Sequence, residues 1–210
     1  RTKNGGMRVT DTFDFVVVVG GGSGGCTVAG RLSEDPNISV AVLDAGGKND
    51  NWVVTTPFAL VLMVAGNVNN WAFNTVPQKG LNGRIGYQPR GKGLGGSSAI
   101  NAMVYIRGHR TDYDQWASLG NAGWSFADVL PYFKRAENNA DFGGEYHGKG
   151  GPLAVNKLRT QNPVQQIFLQ AAQEAQFRLR EDFNADEHEG LGIYQVTQKN
   201  GRRWSAARAY

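Results

Sequence analysis

Cysteine is nearly absent: a single residue, Cys26, in 210 rules out an internal disulfide and fits a reducing compartment. Histidine is scarce too. His109, His147 and His188 are scattered, and with one cysteine they lack the spacing of a metal site, so no metal is expected. Each of the three is read as structural or solvent-facing. Long apolar runs are missing: the longest, residues 58–65, is far short of the roughly 20 residues of a membrane span, and is read as a buried helix. No secretory leader is visible, so a cytoplasmic protein is expected, with contact to the inner membrane face as the open alternative. A strong charge of either sign is lacking. The formal net charge is +4, and part of it lies in Arg1, Lys3 and Arg8, ahead of any recognisable element. Residues 1–12 are accordingly read as a leader or expression remnant, and no nucleic-acid partner is expected.

What the chain does have is glycine, 29 residues against an ordinary share of about 7%, concentrated in two places. In the first, the β-branched run of residues 13–19 leads into Gly20, Gly22 and Gly25, a G-x-G-x-x-G placed between a buried-strand pattern and the helix-like residues 26–33. The first glycine of such a motif makes the tight turn, the second lets backbone approach a pyrophosphate, and the third lets helix and strand pack closely. Residues 38–43 form a second apolar strand ending at Asp44, 44 − 25 = 19 residues beyond Gly25. That is where an acidic side chain meets a ribose hydroxyl in this motif. Strand, turn, helix and strand make one βαβ unit with a parallel crossover. Cys26, at the start of its helix, is read as a packed small residue.

The second cluster, residues 91–114, reads GKGLGGSSAINAMVYIRGHRTDYD. It sets a Gly-Gly pair beside hydroxyls at Ser97 and Ser98 and an amide at Asn101. Between the clusters, residues 46–88 are irregular and predict long loops. Downstream, Ser125 can cap a helix carrying Phe126, Val129, Leu130 and Phe133 on one face, and Pro131 is expected to break it and restart it. Asn162 and Pro163 predict the start of a helix over 163–175, read as plain core packing. Residues 148–155 and 190–198 alternate like strands of a second sheet.

The residues 91–114 resemble the first signature of the glucose-methanol-choline oxidoreductases at Gly91, Lys92, Leu94, Gly95, Gly96, Ser97, Ser98, Ile100, Asn101, Tyr105, Gly108 and Asp114. The resemblance extends over about residues 13–210, and its wording is similar to choline dehydrogenases and bacterial alcohol dehydrogenases. It implies an α/β protein: a Rossmann-like FAD-binding domain over 13–160, a parallel sheet with helices and cofactor-wrapping loops, then the start of an α+β substrate domain over 161–210. Gly20, Gly22, Ser23 and Gly25 would hold the FAD pyrophosphate and Asp44 the adenosine ribose. Arg90, Gly95, Ser97, Asn101 and Val104 would line the rest of the cofactor site.

The implied activity is oxidation of a primary alcohol, choline-like or aliphatic, to an aldehyde, with hydride passing to flavin N5 and electrons leaving to a quinone or to oxygen. The resemblance also implies a longer protein. Its second signature and general-base histidine would follow Tyr210, so no catalytic residue is expected in this segment and the segment alone is expected to be inactive. Two other readings stay open, a non-catalytic FAD- or ADP-binding fragment and, less favoured, an NAD-dependent dehydrogenase. Three departures stand out. Ile100 occupies the place of the histidine that attaches FAD covalently in some members, implying noncovalent FAD. Asp44 replaces the commoner glutamate. Gln176 stands where a glycine is usual after a helix.

Overall fold

A computed structural model describes residues 11–18, 20–160 and 162–210. Most of the expected leader, and Val19 at the end of the first apolar run, lie outside the described residues. The βαβ unit is present. β1 (Phe15–Val17) pairs in parallel with β2 (Val40–Val42), register Val17 opposite Val42, and α1 (Ser23–Leu32) connects them.

Where loops were expected, residues 46–88 carry short elements. These are α2 (Trp52–Thr55), capped by Asn51, a 3-10 turn at Pro57–Ala59, α3 (Leu60–Val64) and the antiparallel pair β3 (Phe73–Asn74) and β4 (Tyr87–Gln88). The expected buried helix at 58–65 is only half buried. Met63 is fully enclosed, with Val54, Ala99 and Ile100 in one core cluster, while Phe58 is 81% exposed.

β5 (Val104–Tyr105) precedes two packed helices, α4 (Arg110–Ser118) and α5 (Phe126–Ala136). Ser125 caps α5 as expected, with Asp128 returning the hydrogen bond. Pro131 does not break this helix, contrary to expectation. A proline removes one main-chain bond and crowds the preceding turn, but here the capping box and the seating of Phe126 and Phe133 against Tyr113 outweigh that cost.

A four-stranded sheet follows, in the order β5, β8 (Gln195–Val196), β7 (Leu153–Lys157), β6 (Glu137–Asn139), parallel between β6 and β7 and antiparallel elsewhere. It draws strands from both sides of position 160. Between β7 and β8 lies α6 (Pro163–Glu174), capped by Asn162. Its expected packing role is corrected: only Ala172 is buried, and Val164, Ile167 and Phe168 stand well over half exposed. The apolar stripe is real, yet among the described residues nothing covers it. β9 (Gln198–Lys199) and β10 (Arg202–Arg203) form a last hairpin, and α7 (Ala206–Ala209) packs on α1, with Tyr210 against Gly30. Among the described residues no helix is long and apolar enough to cross a membrane.

Candidate cofactor site

Gly20 and Gly25 do the backbone work that the spacing predicts, and Gly22 is left open. Gly20 has φ +72°, the left-handed region in which a side chain is strained, and makes the turn out of β1. A Cβ at Gly25 would overlap the carbonyl oxygen of Gly20, so only glycine lets α1 approach β1 this closely. A Cβ at Gly22 would meet nothing within 4 Å. The backbone there borders open space at the N-terminus of α1, where Gly22 is the cap and no side chain satisfies the first-turn amides. Such a terminus offers N–H donors and positive dipole to an anion.

Across from it, Asp44 receives the Gly21 N–H at 2.7 Å on one carboxylate oxygen and the Gly46 N–H at 2.8 Å on the other. Each oxygen keeps acceptor capacity for a further donor. The second glycine cluster lies directly on the first. The Gly95 N–H donates to the Gly21 carbonyl at 2.5 Å, and a Cβ at Gly96 would stand 2.8 Å from the Gly22 Cα. Asn49, which the sequence did not single out, clamps the approach by donating from Nδ2 to the Lys92 and Leu94 carbonyls. The result is a cleft of about 310 Å³ bordered by Gly20, Gly22, Asp44, Trp71, Gly91 and Gly96. Trp71 was also missed as a site residue. It stacks on Phe73, and the Lys92 ammonium lies 4.4 Å from its ring centre.

The remaining expected residues are placed differently. Ser23 opens α1, and Gly95 packs against Ser205. Ser97 accepts the Gly91 N–H. Arg90 is exposed and folded back on the Pro89 carbonyl and Gln88, away from the glycine cleft. Ile100 is buried in the core cluster. Asn101 is exposed, its Oδ1 held by the Met103 N–H and by Arg203. Val104 lines a second, larger cleft of about 840 Å³ together with Ala102, Met103, Phe58, Phe168 and Tyr194. Cys26 donates to the Gly21 carbonyl, and burial pushes its thiol pKa up, as a packed residue requires. No group of three metal-ligating side chains occurs among the described residues.

The fit to a dinucleotide is therefore local and testable: an open glycine edge, a bare helix terminus and a facing carboxylate. Comparison with known proteins decides between cofactors. The family model "GMC oxidoreductase" matches residues 13–210. The chain belongs to the GMC oxidoreductase family. It is 47% identical over 199 residues to the alcohol dehydrogenase [acceptor] of Pseudomonas putida, covering 94% of this chain and 36% of that protein. It is 43% identical over 212 residues to the mitochondrial choline dehydrogenase of Homo sapiens, covering 98% and 36%. Among solved structures, pyridoxine 4-oxidase from Mesorbium loti superposes with a TM-score of 0.88 at 33% identity, over 95% of this chain and 39% of that one. GMC oxidoreductases are FAD-dependent flavoproteins, which removes the nicotinamide alternative. The chain spans a little over a third of the length of these relatives.

Proposed function

We propose that this chain forms the FAD-holding portion of an oxidoreductase that converts a primary alcohol, choline-like or aliphatic, to an aldehyde and passes the electrons to a quinone or to oxygen. One observation carries the reading: the backbone at Gly22 in the G-x-G-x-x-G turn is open and borders the same cleft as Asp44, while Gly25 and Gly96 are sterically closed. Gly22, Ser23 and the first turn of α1 would receive the pyrophosphate, and Asp44 a ribose hydroxyl. When bound, the flavin supplies the acceptor for the hydrogen leaving the alcohol carbon. The chain's own residues bind and orient: the glycine cleft anchors one end of the cofactor, and the turn 96–101 presents Asn101 beside the larger cleft.

Similarity to an alcohol dehydrogenase and a choline dehydrogenase supports the alcohol as substrate class. The test has two arms. The chain, incubated with FAD and desalted, is expected to retain a visible flavin absorbance band, and the protein that carries this chain is expected to reduce an artificial electron acceptor when given a primary alcohol. Absence of a band from the folded chain and from that protein alike overturns the cofactor assignment. A retained band without alcohol-dependent reduction overturns the substrate class alone.

A further inference from the structure

Arg203 is the largest of the fully enclosed side chains, 1% exposed, and no carboxylate lies within ion-pair distance of it among the described residues. Its charge is met by oxygens of main chain and amide only. Nε donates to the Val54 carbonyl at 3.0 Å, and Nη1 donates to the Ser98 carbonyl at 3.2 Å, the Asn101 carbonyl at 2.7 Å and Asn101 Oδ1 at 3.0 Å. Nη2 is buried and without a partner. Burial pulls the guanidinium down to a pKa of about 10, which still leaves it charged at neutral pH. An uncompensated buried cation is costly, and here it sits under the turn that carries the second glycine cluster.

Its contacts decide how Asn101 is turned. The Met103 N–H and Arg203 Nη1 are both donors, and both meet the same Asn101 atom at 3.0 Å, so that atom is the carbonyl oxygen. The amide nitrogen must therefore point the other way. Asn101 is exposed, and its Nδ2 has no partner among the described residues. The neighbouring Ser98 is clamped from the same side, since its Oγ accepts the Ala206 N–H at 2.9 Å. Segment 203–206 is thus a floor that holds carbonyls and side-chain oxygens of the turn inward and leaves one amide donor facing outward.

We propose that Arg203 is a positioning residue: it locks the Asn101 side chain so that Nδ2 is presented as a hydrogen-bond donor to an acceptor group of the bound cofactor. This rests on the FAD reading above and adds to it the chemistry of one contact and the residue that enforces it.

Asn101→Asp provides the direct test, because it keeps an oxygen for Arg203 and Met103, supplies the missing counter-charge, and replaces the donor by an acceptor. The variant is expected to melt at or above the temperature of the unaltered chain, yet to bind FAD about tenfold or more weakly in a fluorescence titration, the loss of one hydrogen bond with an acceptor left facing an acceptor. Arg203→Met is expected to weaken FAD similarly and to shift the absorbance maxima of the flavin that remains bound, with Arg203→Lys recovering part of both. An Asn101→Asp chain that binds FAD within twofold of the original, with an unshifted spectrum, overturns the positioning role while the cofactor assignment stands. If neither the unaltered chain nor the protein that carries it takes up FAD, both fall.

Discussion

His147 Nε2 lies 2.7 Å from Asp182 Oδ2, while its Nδ1 lies 3.0 Å from Glu137 Oε1, so the ring is held between two carboxylates. Glu137 in turn receives Arg107 Nη2 at 2.8 Å and the Gly148 N–H at 2.9 Å. Asn139 and Gln195 pair reciprocally beside it, each amide donating to the other's oxygen. The two hydrogens of Asn139 Nδ2 are taken by Glu137 and Gln195, so its approach to the imidazole needs no lone pair there. With His147 protonated, two cations balance two anions inside the four-stranded sheet. This answers the expectation for His147: its role is structural, and it carries charge.

The charge makes stability depend on pH. Burial alone would lower the His147 pKa, but the hydrogen bonds it donates to Asp182 and Glu137, with their negative charge, outweigh it and raise the group from 6.5 to about 9. A group whose folded value is raised contributes stability that is fully present below the unfolded value and is lost as pH rises through the folded value. The window is therefore about 6.5 to 9, and the contribution is roughly 3 kcal/mol. At the acid end the sign reverses. Despite burial, the His147 contacts hold Glu137 and Asp182 below their ordinary 4.5 and 3.8, so their contribution disappears as pH falls below those values. Denaturant midpoints are expected to be highest near pH 6 and to fall toward pH 9.5, and His147→Gln is expected to be less stable at pH 6 and flat across that range. An unchanged midpoint from pH 6 to 9.5 in the original chain would show that His147 is neutral when folded.

The glycines of the first motif predict two opposite phenotypes. At Gly22 the backbone is extended and an added Cβ meets open space, so Gly22→Ala is expected to change folding stability by no more than about 0.5 kcal/mol while weakening FAD at least tenfold. At Gly25 the added Cβ collides with main chain, so Gly25→Ala is expected to cost about 3 kcal/mol of stability. Thermal melts with and without FAD separate the two, and a Gly22→Ala chain that binds FAD normally would place the phosphates elsewhere.

Much of this site was legible because its logic is local. A turn, a helix terminus and an acid 19 residues on are all set by short-range geometry, and β1, α1, β2 and Asp44 stand where the spacing put them. Features set by distant partners were not legible. Pro131 reads as a helix breaker until Tyr113 and the Ser125 cap are seen to hold α5 together. The Arg107–Glu137 pair joins residues 30 apart, and Arg203 reaches Val54 across 149. Gln195 gave one signal, a polar side chain inside an expected strand, whereas Glu137 and Asn139, in a run with no strand pattern, gave none, and all three are buried in the fold. The apolar face of α6 was read correctly as apolar and wrongly as covered, since periodicity reports which side is greasy and not what lies against it.

The departure at Gln176 has a structural consequence. α6 ends in a Schellman arrangement, in which the Phe177 N–H donates to the Ala172 carbonyl at 2.9 Å and the Gln176 N–H to the Gln173 carbonyl at 3.0 Å. This closure requires a left-handed residue between them, and Gln176 supplies it with φ +63°. A side chain in that region is strained, whereas glycine adopts it freely but loses more entropy on folding. The strain is the larger quantity, so Gln176→Gly is expected to stabilise the chain by about 0.5–1 kcal/mol, a rise in Tm of roughly 1–4 °C at this size. Gln176→Ala keeps the Cβ and should give no such gain. Equal melting temperatures for the Gly and Ala variants would mean that the Gln176 backbone is not left-handed in solution, and that α6 ends by another route.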